Sequence, residues 1–166
     1  LSQRLQDQQE MALNLNNIAT AHLSLGDLAT AQVYLEESIA MREALGDFRG
    51  AGYSYYNFAI LLRDRKRYDD ALAYFERTRK IASANQLRTL ASELHKGRAR
   101  LEEHRNDYRA ATVHWKQYIA AQDTLLSAES AKAIAEIESK YEVAKKEKAL
   151  LEQQLLLDQQ ALDIAQ

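Results

Sequence analysis

Apolar residues recur along the first three quarters of the chain at intervals of three or four residues, the spacing of one face of an α-helix. In the first run Met11, Leu15 and Ile18 share a face, and the pair Gly26-Asp27 ends the run. The chain has no proline and five glycines, so little interrupts helical runs elsewhere. The pattern predicts helices at residues 7–24, 28–45, 47–64, 68–84, 87–104 and 108–125.

The helical pattern itself repeats with a period of forty residues. Two alanine columns and one column of bulky side chains recur: Ala19, Ala59, Ala99; Ala31, Ala71, Ala111; and Leu35, Phe75, Trp115. One helix pair cannot bury its apolar stripe alone, whereas stacked pairs form a continuous core. We therefore expect units at about 12–51, 52–91 and 92–126, with 1–11 as the remnant of an earlier repeat. In the middle unit Lys66-Arg67 replaces the turn pair Gly26-Asp27.

The order Asn17-Ile18-Ala19, Gly26-Asp27, Ala31, Leu35 resembles the tetratricopeptide repeat family in a forty-residue form. The resemblance extends over residues 12–126. It implies an all-α fold, a right-handed superhelical solenoid of helix pairs. It also implies that the first helix of each pair lines a concave groove that captures peptides or protein segments.

The resemblance places candidate groove residues on the first helices of the pairs. These residues are Asn16, Asn17, Thr20, Tyr53, Tyr56, Asn57, Ile60, Arg63, Lys96 and Arg100. Asn17 and Asn57 occupy equivalent positions, and an amide can both donate to and accept from an extended peptide backbone. Two interpretations stay open for these asparagines, namely groove contact and ties between adjacent helices. Among Tyr53, Tyr55 and Tyr56, we expect one to pack against a neighbouring unit and another to face the groove.

Repeats of this family that hold C-terminal carboxylates share a five-residue clamp of basic residues and asparagines. The corresponding positions here are Asn16, Thr20, Asn57, Glu93 and Gly97. Only Asn57 fits the clamp, so we do not expect capture of chaperone tails. Lys96 and Arg100 suit an acidic partner, or alternatively form a solvated charged face.

Residues 127–166 differ from the repeats, because they lack glycine and are built mainly from Ala, Glu, Lys, Gln and Leu. This composition predicts one long helix. A heptad stripe runs through Ile134, Ile137, Tyr141, Ala144, Leu151 and Leu155. Lys148 interrupts the stripe, and the register beyond residue 149 stays open. The stripe predicts a homodimeric coiled coil, and the alternative is a helix that folds back to cap its own repeats.

Residues 123–142 resemble the junction between such repeats and the signalling helix of bacterial sensor proteins. That resemblance implies a sensory or regulatory module whose coil leads to a histidine kinase, a diguanylate cyclase or a DNA-binding output domain. It implies contact with a membrane only through flanking segments, with the repeats on the periplasmic face or, alternatively, in the cytoplasm. The sequence begins without methionine, so we expect a segment of a longer protein. A free-standing scaffold that dimerises through its tail is the alternative.

Composition and motifs argue against catalysis. The formal charge of -2 does not suggest a nucleic-acid surface, and there is no cysteine for a thiolate site. The four histidines lack metal-ligand spacing, so we expect no metal and no cofactor. We expect His114, beside Trp115, to face outward. A regulator of phosphorylation that acts through Glu102 or Gln122 is a third interpretation.

Overall fold

The computed structural model describes residues 2–122 and 128–164, and within these ranges the regular structure is α-helical. The helices are α1 (Ser2–Ser24), α2 (Leu28–Leu45), α3 (Phe48–Asp64), α4 (Tyr68–Ala84), α5 (Arg88–His104), α6 (Tyr108–Ala121) and α7 (Ala128–Ile164). The predicted ranges of α2 and α4 agree with these bounds. The predicted boundary between repeats and tail, at residues 126 and 127, lies outside the described residues.

Short turns with the same backbone geometry separate the helices. Asp27 caps α2 by accepting the backbone N–H of Thr30 at 3.1 Å. Gly26 adopts a φ of 77°, and Lys66, forty residues later, adopts a φ of 61°. The left-handed region is unfavourable for a side chain, so the middle unit keeps the turn at a local cost. Arg67 makes no capping hydrogen bond, which leaves α4 without the cap that Asp27 gives α2.

The helices stack as antiparallel pairs. α1 packs on α2, α3 on α4 and α5 on α6, and successive pairs meet through α2–α3, α4–α5 and α6–α7. All six alanines of the two repeated columns are fully buried. Leu35, Phe75 and Trp115 are also buried, and they fill the space between pairs. The sequence period therefore becomes an all-α solenoid in which each pair contributes the same positions to the core.

The start of the solenoid differs from the sequence expectation. α1 continues without a turn from Ser2 to Ser24, so residues 2–11 extend the first helix instead of ending an earlier pair. Leu5 is 49% exposed in this extension. At the other end α7 is a single helix of 37 residues. Within the described ranges, no helix combines the length and the apolar character that a bilayer crossing needs.

Candidate binding groove

Hydrogen bonds between polar side chains join the first helices of units one and two. Asn57 Nδ2 on α3 donates to Asn16 Oδ1 at 3.0 Å and to Thr20 Oγ1 at 3.1 Å, both on α1. Ser54 Oγ also donates to Asn16 Oδ1, at 3.2 Å. Asn16 is only 7% exposed, so it belongs to the interface between helices. Of the two interpretations for Asn17 and Asn57, the helix tie describes Asn57, which bonds to Asn16, whereas Asn17 is exposed.

Farther along the groove, α3 and α5 approach each other where a tyrosine packs against a glycine. A Cβ atom added to Gly97 would lie 2.8 Å from Tyr56 Cε2 and 2.8 Å from Phe75 Cε1. Only glycine therefore permits this close approach. Burial raises the pKa of Tyr56, and the negative charge of Glu93 on α5 raises it further. Tyr56 thus fills the seam between α3 and α5.

The three tyrosines near the start of α3 have separate environments. Tyr55 is buried between two second helices, because its hydroxyl donates to Glu43 of α2 and its ring lies 5.9 Å from Tyr74 of α4. Tyr53 is 40% exposed and borders an open cleft of about 650 Å³ between the start of α1 and the α2–α3 turn. Tyr53 is therefore the member of the cluster that a ligand can reach.

The positively charged candidate groove residues contact other side chains of the same chain. Arg63 pairs with the adjacent Asp64 at 2.7 Å, while Ile60 is half-buried against the core. Lys96 lies 3.7 Å from the Glu93 carboxylate. The Arg100 guanidinium stands 5.4 Å from the centre of the Trp115 ring. These contacts orient the three cations. Arg63 and Lys96 each have a carboxylate neighbour, whereas Arg100 is exposed and contacts an uncharged ring.

The same cleft that Tyr53 borders contains a charged residue that the sequence did not single out. Arg42 of α2 is only 4% exposed, and its Nε has no hydrogen-bond partner among the described residues. Its Nη1 lies 3.9 Å from an Asp47 oxygen. Burial lowers the pKa of Arg42, while the negative charge of Asp47 raises it. The columns forty residues later hold Ala82 and Gln122, so the repeat pattern gave no indication of a buried arginine here.

The structure corrects the expectation that His114 faces outward. Its ring stacks on that of His95 with the centroids 6.0 Å apart, in the seam between α5 and α6. Burial lowers the pKa of His114 to about 4, and the positive charge of Arg98 lowers it further. Among the described residues, no group of three or more His, Asp or Glu side chains could hold a metal ion. The pair is therefore part of the helix packing.

The residues of the predicted dimer stripe fall into two groups. Ile137 is 3% exposed and packs with Trp115 of α6, and Ile134 is half-buried against the same cluster. The assignment of Ile137 to a surface between two chains is therefore wrong, because its own chain already covers it. Tyr141 is also half-buried, whereas Ala144, Leu151 and Leu155 are exposed. The alternative of a capping helix thus describes the first part of α7, and the dimer remains a prediction for the rest.

The comparison with known families agrees with this geometry. Residues 9–84 match the family model of the tetratricopeptide repeat. The match covers the first two helix pairs, and the third pair repeats their buried columns. The fold is accordingly an all-α solenoid of the tetratricopeptide type, and such repeats are generally non-catalytic modules for protein–protein interaction. No curated protein matches the chain.

Proposed function

We propose that this chain is a regulatory module that binds a polypeptide segment along the face formed by α1, α3 and α5. The observation that carries the proposal is the row of first helices, fixed side by side by the Asn57–Asn16 hydrogen bond and by the Tyr56–Gly97 contact. The side chains that hydrogen-bond between α1 and α3 hold these helices in a fixed arrangement, which forms a preformed wall of the groove. The exposed side chains of Asn17 and Tyr53 then remain for a ligand. A preformed wall lowers the ordering cost of binding.

A displayed library of random peptides tests this proposal. We expect the purified chain to retain a set of related peptides, and we expect the Asn17→Ala/Tyr53→Ala double variant to lose affinity by about tenfold, since truncating central contacts commonly costs 1–2 kcal/mol. Val33→Ala is the matched control, because Val33 is 61% exposed on a second helix and lies off the proposed face. Equal binding by the double variant and the control would place the ligand elsewhere.

We further propose that two copies of the chain associate through the distal part of α7. Leu150, Leu151, Leu155, Leu156 and Leu157 are between 52% and 65% exposed in a single chain. A run of exposed leucines of this size is unfavourable in water and favours a partner helix. The similarity of residues 123–142 to the junction in bacterial sensor proteins supports a relay along this helix, although 123–127 lie outside the described residues.

Sedimentation tests whether the chain forms this dimer. We expect the wild-type chain to sediment as a dimer at micromolar concentration and the Leu151→Asp/Leu155→Asp variant to sediment as a monomer. Val113→Asp, on α6 and 51% exposed, is the control for a charge introduced elsewhere. A wild-type monomer at every concentration tested would exclude the dimer. The free-standing scaffold is the second candidate function, and it predicts the same dimer without transmission from the groove to the tail.

A further inference from the structure

Part of the burial pattern of α5 recurs forty residues later in α7, beyond the residues that match the family model. The covered positions of α7 are Ser130, Ala133, Ile134, Ile137 and Tyr141. Forty residues earlier, α5 has Leu90, Glu93, Leu94, Gly97 and Leu101, which are also buried or half-buried. α7 packs on α6 as α3 packs on α2 and as α5 packs on α4. The first part of α7 therefore stands where the first helix of a fourth unit would stand.

Charged side chains of α5 and α7 influence one another electrostatically. A hydrogen bond from Lys140 lowers the pKa of Glu136, and the positive charges of Lys132 and Arg100 lower it further. The hydrogen bond to Glu136 raises the pKa of Lys140, with a smaller contribution from Glu103 of α5. Glu136 and Lys140 occupy the columns of the groove positions Tyr56 and Ile60. Both side chains are more than half exposed, so a ligand can reach them.

The attachment of α7 buries few apolar side chains. Among the described side chains of α7, Ile137 is the one apolar residue that is fully buried. Clefts of about 380 Å³ and 460 Å³ border α7 on its two sides along α6. A salt bridge of 3.4 Å between Lys116 and Glu138 lies at the exposed rim, where such pairs contribute little. A modest difference in ligand affinity can therefore shift α7 between docked and undocked positions.

We infer that α7 is the fourth wall of the groove, so that a polypeptide bound along the groove contacts Glu136 and Lys140 and holds α7 against α6. This inference rests on the proposed groove function. A ligand that binds only the docked form stabilises that form by linkage. When α7 is docked, its distal part, with the exposed leucines, extends from the repeats in a fixed direction. Ligand binding in the groove thereby sets the orientation of the tail.

The single tryptophan of the chain gives a direct readout of docking. Trp115 is 3% exposed and packs with Ile137. An aspartate at position 137 would bury an unpaired carboxylate, so we expect the Ile137→Asp variant to lower the docking equilibrium by on the order of tenfold or more. Its tryptophan emission should move to longer wavelength while the circular dichroism of the repeats persists. Val143→Asp, at an exposed position of the same helix, is the control. Unchanged emission in Ile137→Asp would overturn the docking.

The peptides retained by the wild-type chain test the contact itself. We expect them to bind the Glu136→Ala/Lys140→Ala variant about three- to tenfold more weakly, and the Lys145→Ala control with wild-type affinity. Full affinity in the double variant, together with loss in Asn17→Ala/Tyr53→Ala, would overturn the fourth wall and leave the proposed groove in place. A library without any binder would overturn the groove and its contact to α7, while the Trp115 emission still decides whether α7 is docked.

Discussion

Units two and three place different chemistry at the same positions of the same fold. In unit two Tyr55, Phe58, Tyr74 and Arg77 form an aromatic seam between α3 and α4, with Phe58 and Tyr74 rings 4.7 Å apart. Forty residues later, unit three has His95, Arg98, His114 and Gln117 in the seam between α5 and α6. The helices pair alike in both units, so the buried alanines set the backbone geometry and the seam residues set its chemistry.

The difference lies in how well each seam satisfies its polar atoms. In unit two the Arg77 guanidinium stands 5.1 Å from the centre of the Tyr55 ring and 5.3 Å from that of Tyr74. In unit three His95 Nδ1 and Arg98 Nε are buried without a hydrogen-bond partner among the described residues. An unsatisfied buried donor or acceptor is destabilising. We therefore expect the seam of unit three to contribute less to folding stability than that of unit two, and its contribution to depend more on pH.

The largest expected effect comes from exchanging the residues that differ most between the seams. Phe58 is 8% exposed, and Phe58→Arg removes its ring contact and buries a charge among aromatic residues. We expect a loss of about 3–5 kcal/mol in the free energy of unfolding, measured by urea denaturation and circular dichroism. The reciprocal Arg98→Phe should raise stability by up to about 1 kcal/mol, because it removes an unsatisfied donor. Equal losses in both variants would contradict the difference between the seams.

Acid should destabilise unit three through its histidines. Burial lowers the pKa values of both His95 and His114, the latter to about 4, against a usual value of 6.5. The unfolded chain therefore binds protons more readily, so stability falls as the pH drops from about 6.5 to 4. We expect a loss of about 1–2 kcal/mol over this range, discounted because the rings are partly exposed. Urea denaturation at a series of pH values measures it.

The matched control for the acid effect replaces both histidines by the residue type of unit two. His95→Tyr/His114→Tyr should lack this component of the pH dependence. Burial also raises the pKa of Glu102, which acts in the opposite direction because the folded chain then binds the proton more readily. That contribution is common to both proteins and cancels in the difference. The same pH dependence in wild type and the double variant would exclude the histidine pair as its source.

The smallest expected effect concerns Arg77 and its counterpart Gln117. Arg77→Ala removes the contacts with Tyr55 and Tyr74, and we expect a loss of about 0.5–1 kcal/mol, as for cation–π contacts at exposed sites. Gln117→Ala, the matched change in unit three, should cost less, because Gln117 is neutral and its 3.1 Å hydrogen bond with His114 lies at an exposed position. Thermal unfolding of the two variants side by side tests this order, and a larger loss for Gln117→Ala would reverse it.

The sequence by itself determined the helix pairs and their period. The alanine columns, the bulky column and the turn pairs act locally or between neighbouring helices, so their spacing alone predicted α2 and α4 and the stacking of the units. The resemblance to a repeat family, and not the spacing, implied that the first helices carry the groove residues Asn17, Tyr53 and Asn57. The turn at Lys66 keeps the left-handed φ of its column although lysine replaces glycine there.

Only the tertiary structure decided what each exposed face meets. Periodicity places a side chain on one face of its own helix, whereas its partner depends on the rotation and offset of the next helix. The His95–His114 stack, the burial of Arg42 and the tie from Asn57 to Asn16 all arise from that relation. The same holds for α7. Its apolar stripe was evident in the sequence, but the position of Trp115 on α6 decided that Ile137 is covered within one chain, while Leu151 and Leu155 remain free to meet another.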